Sequence, residues 1–229
     1  MTSKTETLAS EAYQKLRADI ISSNLAPGNK LRIEALKDRY SIGASPLREA
    51  LSQLAAEGFV TASGRRGFAV PPLSESNLQD IMSARAVMEV QCLKLSIQNG
   101  DEVWESALVA SHYQLDKIEA NLDQRPGALF EDWEIRHNAF HSALVAACPS
   151  RWLLTFREIL YAQHLRYRHN SLNHRYVTPG LAQEHRDILQ MALERKVEQA
   201  AQAMEHHILQ TIDTNIRALR ESSAGLNNH

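Results

Sequence analysis

The chain has 229 residues and a formal net charge of −2, from 25 Lys+Arg against 27 Asp+Glu. It is 44% hydrophobic and 23% charged, the profile of a soluble globular protein rather than a disordered or collagen-like one. No run of apolar residues is long enough to span a membrane. The N-terminal stretch MTSKTETLASEAYQKLR lacks the apolar segment of a secretory signal, so a cytoplasmic location is expected. Cys92 and Cys148 are too few for a disulfide framework and are expected as buried thiols.

The average charge hides an asymmetry about Pro71-Pro72. Residues 1–73 carry 10 basic and 7 acidic side chains, a net of +3, and residues 74–229 carry 15 and 20, a net of −5. All ten histidines lie in the second part. A double proline cannot continue a helix, so a boundary is expected there, with domains at 1–73 and 74–229.

In chain order, Ser10 can cap a helix running to about Ser23, with Tyr13, Leu16 and Ile20 on one face. Pro27-Gly28 reads as a turn, and a second helix is expected from Glu34 to Tyr40. Gly43 suits the tight turn that follows. Ser45 is then the expected cap of a third helix, with Pro46 at its first position and Leu47, Ala50, Leu51 and Leu54 inward. Two short β-type runs, Phe59-Val60-Thr61 and Phe68-Ala69-Val70, flank the basic hairpin Ser63-Gly64-Arg65-Arg66-Gly67. Three helices followed by a basic hairpin is the order of a winged helix-turn-helix. Such a recognition helix offers its N-terminal residues, here Ser45 and Arg48, to base edges in the major groove. Arg48 can pair bidentately with guanine. Arg65, Arg66 and Gly67 form the wing tip, and Lys30, Arg32 and Lys37 are expected phosphate contacts.

From Ser74 to about Ser222 the helical period dominates. Breaks at Asn99-Gly100, Pro126-Gly127, Pro149 and Thr178-Pro179-Gly180 predict six or seven helices, near 75–98, 101–123, 127–147, 150–174, 178–194 and 196–220. Short connections favour an antiparallel all-helical bundle. His137 and His141 share one helix face beside Phe140, Leu144 and Val145, so they point inward. His185 and His207 also fall on apolar stripes, whereas His206 should point outward. One continuous helix would hold His185 and His207 roughly 33 Å apart. They meet only if the chain turns back near Leu193–Lys196. Converging neutral imidazoles suit a divalent transition metal such as Zn²⁺ or Ni²⁺.

The stretch LAPGNKLRIEALKDRYSIGASPLREALSQLAAEGFVTASGRRGFAV resembles the DNA-binding domain of the GntR family of bacterial transcription regulators. Many members carry an arginine where this chain has Ala44, and the fatty-acid-responsive member has one at Glu34. The C-terminal part resembles the FCD ligand-binding domain of the fatty-acid-regulator subfamily, through HNAFH, EHRDIL and MEHHI. That resemblance implies a metal held by His141, His185 and His207, with His137 where the subfamily usually has aspartate. It implies a small carboxylate effector beside the metal, contacted by arginines. Arg85 matches an effector-contacting position, and Arg166 and Arg168 are further candidates. GASPLREALSQL and DWEIRHNAFHSALVAACPSRWLL narrow the resemblance to a glutarate-responsive branch, which implies a C5 dicarboxylate. The expectation is a mainly α homodimeric regulator, with operator DNA as partner, repression relieved by effector, no membrane association and no catalysis. Two alternatives stand beside it: a metal-free sensor, and a metal-dependent hydrolase with a DNA-binding domain, though no HExxH-type motif is present.

Overall fold

A computed structural model of the chain describes residues 7–62, 67–122, 126–170 and 180–226; for 126–128, 170 and 222–226 it describes the backbone alone. The expected wing-tip residues Arg65 and Arg66 lie outside the described residues, as does the predicted end of the 150–174 helix. The chain divides into two compact units. One comprises residues up to Ser74 together with Leu165–Asn170, and the other holds the remainder.

In the first unit, α1 (Leu8–Ile21) starts one turn earlier than Ser10 implied. Thr7 is its cap, and its hydroxyl accepts the Ser10 N–H at 3.1 Å. The stripe Ala12, Leu16 and Ile20 is buried against α3 (Ala44–Ala56), which presents Leu47, Ala50, Leu51 and Leu54. Between them lies α2 (Ile33–Tyr40), anchored by Leu36. The turn into α3 is built differently from the sequence expectation. Ser41, not Gly43, takes the left-handed conformation (φ 56), and its N–H closes α2 on Lys37. Gly43 stands at the N-cap of α3 in extended conformation, which places Ser45 in the exposed first turn instead of at the cap. A three-stranded antiparallel sheet follows, in order β1 (Lys30–Leu31), β3 (Phe68–Ala69), β2 (Thr61–Ala62). Gly67 enters β3 at φ +87, a conformation that glycine adopts without steric cost.

The second unit is helical in its described elements. These are α4 (Glu75–Asn99), α5 (Glu102–Leu122), α6 (Pro126–Leu144), α7 (Arg151–Asn170), whose end from Leu165 groups with the first unit, α8 (Leu181–Leu193), α9 (Val197–Leu209) and α10 (Thr211–Leu226). α4 packs on α9, α5 on α6 and α8, and α8 on α9. The single helix expected over 196–220 is two, broken at Gln210, whose N–H still bonds His206 O. Gly100 permits the α4–α5 turn. A Cβ there would stand 2.2 Å from the Trp104 ring, whose Nε1–H donates to Ala143 O at 2.9 Å. Among the described residues, no helix is long and apolar enough to cross a membrane.

The α8–α9 turn decides where the histidines fall. Arg195 holds it in a left-handed conformation (φ 57) that non-glycine residues seldom adopt. Its guanidinium fastens it, donating to Ile97 O at 2.5 Å, Gly100 O at 2.9 Å and the Glu105 carboxylate, and lying 5.1 Å over Trp104. The chain reverses there, so His185 and His207 face each other with ring centroids 4.7 Å apart.

Candidate metal and effector centre

His137 and His141 on α6, His185 on α8 and His207 on α9 converge. One ligand atom from each lies within 4.8 Å of the others, and all four residues are buried. His206 is exposed. Ligation at Zn–N distances of about 2.0–2.1 Å would draw the nitrogens somewhat closer. His141 is 0% exposed, and neither of its ring nitrogens has a hydrogen-bond partner. A buried imidazole with both nitrogens unmet is a rare and costly arrangement, and a cation at the centre of the cluster would meet one of them. Burial drives the His141 pKa well below the ordinary histidine value, and the neighbouring His207, His185, Arg85 and Arg157 push it the same way. Burial likewise takes His207 down to about 4, against the opposing pull of Glu184. Neutral imidazole is the ligand form, so both rings are ready to bind a cation near pH 7.

Carboxylates surround the four rings. His185 Nδ1 lies 2.9 Å from Glu119 Oε1, and the same oxygen accepts from Trp133 Nε1 at 3.2 Å. The Trp133 ring lies tilted against that of His137, with centroids 4.6 Å apart. His207 Nδ1 lies 2.9 Å from Glu184 Oε2, which also accepts from Gln210. Burial works to raise the Glu184 pKa, but the bonds from His207 and Gln210 prevail and hold it low. His112, at 8% exposure, approaches Phe140 edge-on (5.3 Å) and has its Nε2 unmet.

A second cluster of charge is reached through Glu134, whose Oε1 lies 4.0 Å from His137 Nδ1 and accepts from Tyr161 at 2.6 Å. The Arg85 and Arg157 guanidiniums lie 4.9 and 6.0 Å from the Tyr161 ring. Glu89, fully buried, takes Arg157 Nε at 2.7 Å on one oxygen and faces Arg85 at 3.5 Å with the other. Arg85 also meets His164 Nδ1 at 2.9 Å, and His164 Nε2 meets Asn215 at 3.0 Å. Arg157 Nη2 is buried with no partner. Of the arginines expected at the effector, then, Arg85 belongs to this cluster. Arg166 and Arg168 lie in Leu165–Asn170, which groups with the first unit, and Arg166 donates to Pro71 O at 2.9 Å.

Sequence reasoning missed Arg157, Glu89, Glu119, Glu134, His112 and His164. The i,i+4 spacing of Arg85 and Glu89 was a readable signal. The Glu89–Arg157 pair spans 68 residues and was not readable. In the first unit, Ser45, Arg48 and Arg32 are exposed, as are Lys30 and Gly67. Lys37 is half-buried and paired with Glu34 at 2.6 Å.

Residues 8–70 match the family model of bacterial regulatory proteins of the gntR family, and residues 80–210 match the FCD domain. The chain belongs to the GntR family. It is 37% identical over 205 residues to the HTH-type transcriptional regulator BphR of Paraburkholderia xenovorans, covering 90% of this chain and 84% of that one. It is 36% identical over 219 residues to the HTH-type transcriptional repressor GlaR of Escherichia coli, covering 94% and 97%. The crystal structure of a GntR-family regulator from Pseudomonas syringae pv. tomato shares 25% identity at a TM-score of 0.54, over 95% of this chain and 88% of that one. E. coli McbR/YncC shares the fold at a TM-score of 0.71 and 17% identity, over 95% and 99%. This GntR-family chain with an FCD domain is therefore a transcriptional regulator and not an enzyme. Glu184, next to His185 in the chain, is engaged by His207 and Gln210.

Proposed function

We propose that the FCD domain binds a divalent metal through His137, His141, His185 and His207, and a small carboxylate beside it. The observation that carries this reading is the concentration of unmet buried polar atoms in one place. His141 Nδ1 and Nε2, His185 Nε2, His112 Nε2, Glu119 Oε2 and Arg157 Nη2 all belong to this helical interior. A chain folding for stability alone would satisfy such atoms or leave them out. All-imidazole ligation favours Zn²⁺ or Ni²⁺ over the harder cations. When bound, the ion supplies a fixed positive charge that can take a carboxylate oxygen. Arg85 and Arg157, held apart by Glu89, offer planar forks for a second carboxylate. Two cationic ends suit a dicarboxylate, and the sequence resemblance to a glutarate-responsive branch makes glutarate the first candidate. Arg157 joins Arg166 and Arg168 as a further candidate for the second carboxylate.

The first unit, residues 1–73, then serves as the operator reader. Ser45 and Arg48 address base edges; Arg32, Arg65, Arg66 and Gly67 address backbone and minor groove. A homodimer reads a pseudo-palindrome, and the effector shifts the population between two arrangements of the readers, releasing the operator. The relative GlaR is named a repressor, in keeping with that sign. A thermal-shift screen of C3–C6 dicarboxylates, with and without chelator, tests the proposal, because a ligand specific to the native state raises its stability by mass action. Glutarate should raise the melting temperature of the metal-loaded protein and lose most of that effect after chelation. A full glutarate response after chelation favours the metal-free sensor.

A further inference from the structure

We infer that Glu119 and Glu184 are positioning residues of the metal centre, which fix two of its histidines in their ligating tautomer and neutralise the charge of the ion. The inference rests on the reading of the four histidines as a metal site. An ionised carboxylate accepts hydrogen bonds and cannot donate them. The 2.9 Å contacts of Glu119 Oε1 and Glu184 Oε2 are both to Nδ1 atoms, so His185 and His207 each carry their hydrogen on Nδ1. The lone pair of each ring is then on Nε2. That atom in His185 is buried and has no partner, as a vacant donor position requires.

The carboxylates are placed by the fold with some economy. Glu184 and His185 are consecutive on α8. One reaches across to His207 on α9, and the other receives Glu119 from α5. Three helices are thus cross-linked through two carboxylate–histidine pairs. Gln210, at the break between α9 and α10, steadies Glu184. Glu119 does double service, because its bond from Trp133 also orients the indole that lies against the His137 ring. The break at Gln210 therefore has a structural consequence at the site.

Charge gives the second reason. Four neutral imidazoles bring no negative charge to a divalent cation in a buried setting, where an uncompensated ion is costly. Glu119 and Glu184 bring two, equal and opposite to the ion. Carboxylates on the far nitrogen of a ligating histidine also raise its basicity, and losing one typically costs 10- to 100-fold in metal affinity.

The experiment is a zinc titration of the full-length, untagged protein against a chromophoric chelator. It compares wild type with Glu119→Gln, Glu184→Gln and the two corresponding alanine variants. Melting of each metal-free protein is measured in parallel, with the visible spectrum of the Co²⁺-loaded form. Each alanine variant should bind zinc about 10- to 100-fold more weakly. Each glutamine variant keeps an acceptor for Nδ1–H but loses the charge, and should show a smaller loss, with metal-free melting unchanged or raised. The Co²⁺ spectrum should shift in the alanine variants and stay close to wild type in the glutamine ones. Wild-type zinc affinity in all four variants would overturn the inference and leave the metal centre standing. So would a zinc loss matched by an equal loss of metal-free stability, which marks a purely structural pair. A wild-type protein that takes up no zinc would overturn the metal reading and this inference with it.

Discussion

The two units of the molecule solve opposite packing problems. Between residues 7 and 74 every described buried residue is apolar, and Arg32, Ser45, Arg48 and Gly67, proposed to meet DNA, stand on the outside. Between residues 75 and 226 the interior holds Arg85, Glu89, His112, Glu134, His137, His141, Arg157, His164, His185 and His207 among its apolar side chains. An operator is larger than the domain that reads it, so its contacts must be displayed. A small effector has to be enclosed, so its contacts must be buried, at a cost in stability wherever they stay unmet. The N-terminal core is accordingly a matter of volume and the C-terminal core a matter of charge. The two respond to different perturbations.

The sharpest contrast comes from His141→Ala. Loss of a direct ligand should exceed the 10- to 100-fold penalty of a second-layer change, so metal retained after gel filtration should fall below stoichiometry by elemental analysis. Operator-free folding of the first unit should persist. In the other core, Leu51→Ala removes a side chain with no exposure and should cost about 2–5 kcal/mol. It should weaken DNA binding in a band-shift assay while zinc content stays at the wild-type level. If each substitution disabled both units equally, the contrast between them would fail.

Acid gives a third test. His207 is neutral in the fold down to about pH 4, whereas an unfolded histidine protonates near 6.5. The unfolded state therefore binds the extra proton first. Stability contributed by keeping this ring neutral is intact above pH 6.5 and is lost as pH falls from 6.5 towards 4. The effect is on the order of 3 kcal/mol, from about 1.36 kcal/mol per pKa unit. Denaturant melts of the metal-free protein across that window should record it, and a His207→Gln variant should make the curve shallower, with the His141 contribution remaining. Arg48→Ala should be smaller still, about 1–3 kcal/mol of operator discrimination, with melting unchanged because the side chain is exposed. The least of the series is Arg195→Gly. It relieves the left-handed backbone but cuts the links to Ile97, Gly100 and Trp104, so the two effects oppose and net stability should move by about 1 kcal/mol.

What was legible in the sequence followed from local physics. Periodicity and punctuation located the helices, and the requirement that His185 and His207 meet forced a reversal near Leu193–Lys196, where Arg195 makes it. The i,i+4 spacing of His137 and His141 placed both on one face. The misses were cases where two local options differ by little. Thr7 and Ser10 are both fair caps, and the helix took the earlier one. Ser41, and not the glycine two residues later, carries the left-handed turn. Gln210 offers no glycine or proline, so the break there arises from tertiary contacts, including its bond to Glu184. At the site, Arg157 and Glu119 look like ordinary helix charges in one dimension. Only the packing of α4 beside α7 through Glu89, and of α5 beside α8 through His185, turns them inward. Arg166 and Arg168 lie on the stretch of α7 that groups with the first unit, a placement that one-dimensional spacing does not show.

The central claim is that the enclosed charges of the second unit govern the displayed ones of the first. Fluorescence anisotropy of a labelled operator fragment, titrated with glutarate in the presence of zinc and again after chelation, tests it most directly. The account predicts that glutarate releases the operator from the zinc-loaded protein and has little effect on the chelated one. Operator affinity that ignores glutarate and its C3–C6 homologues in both states would contradict it.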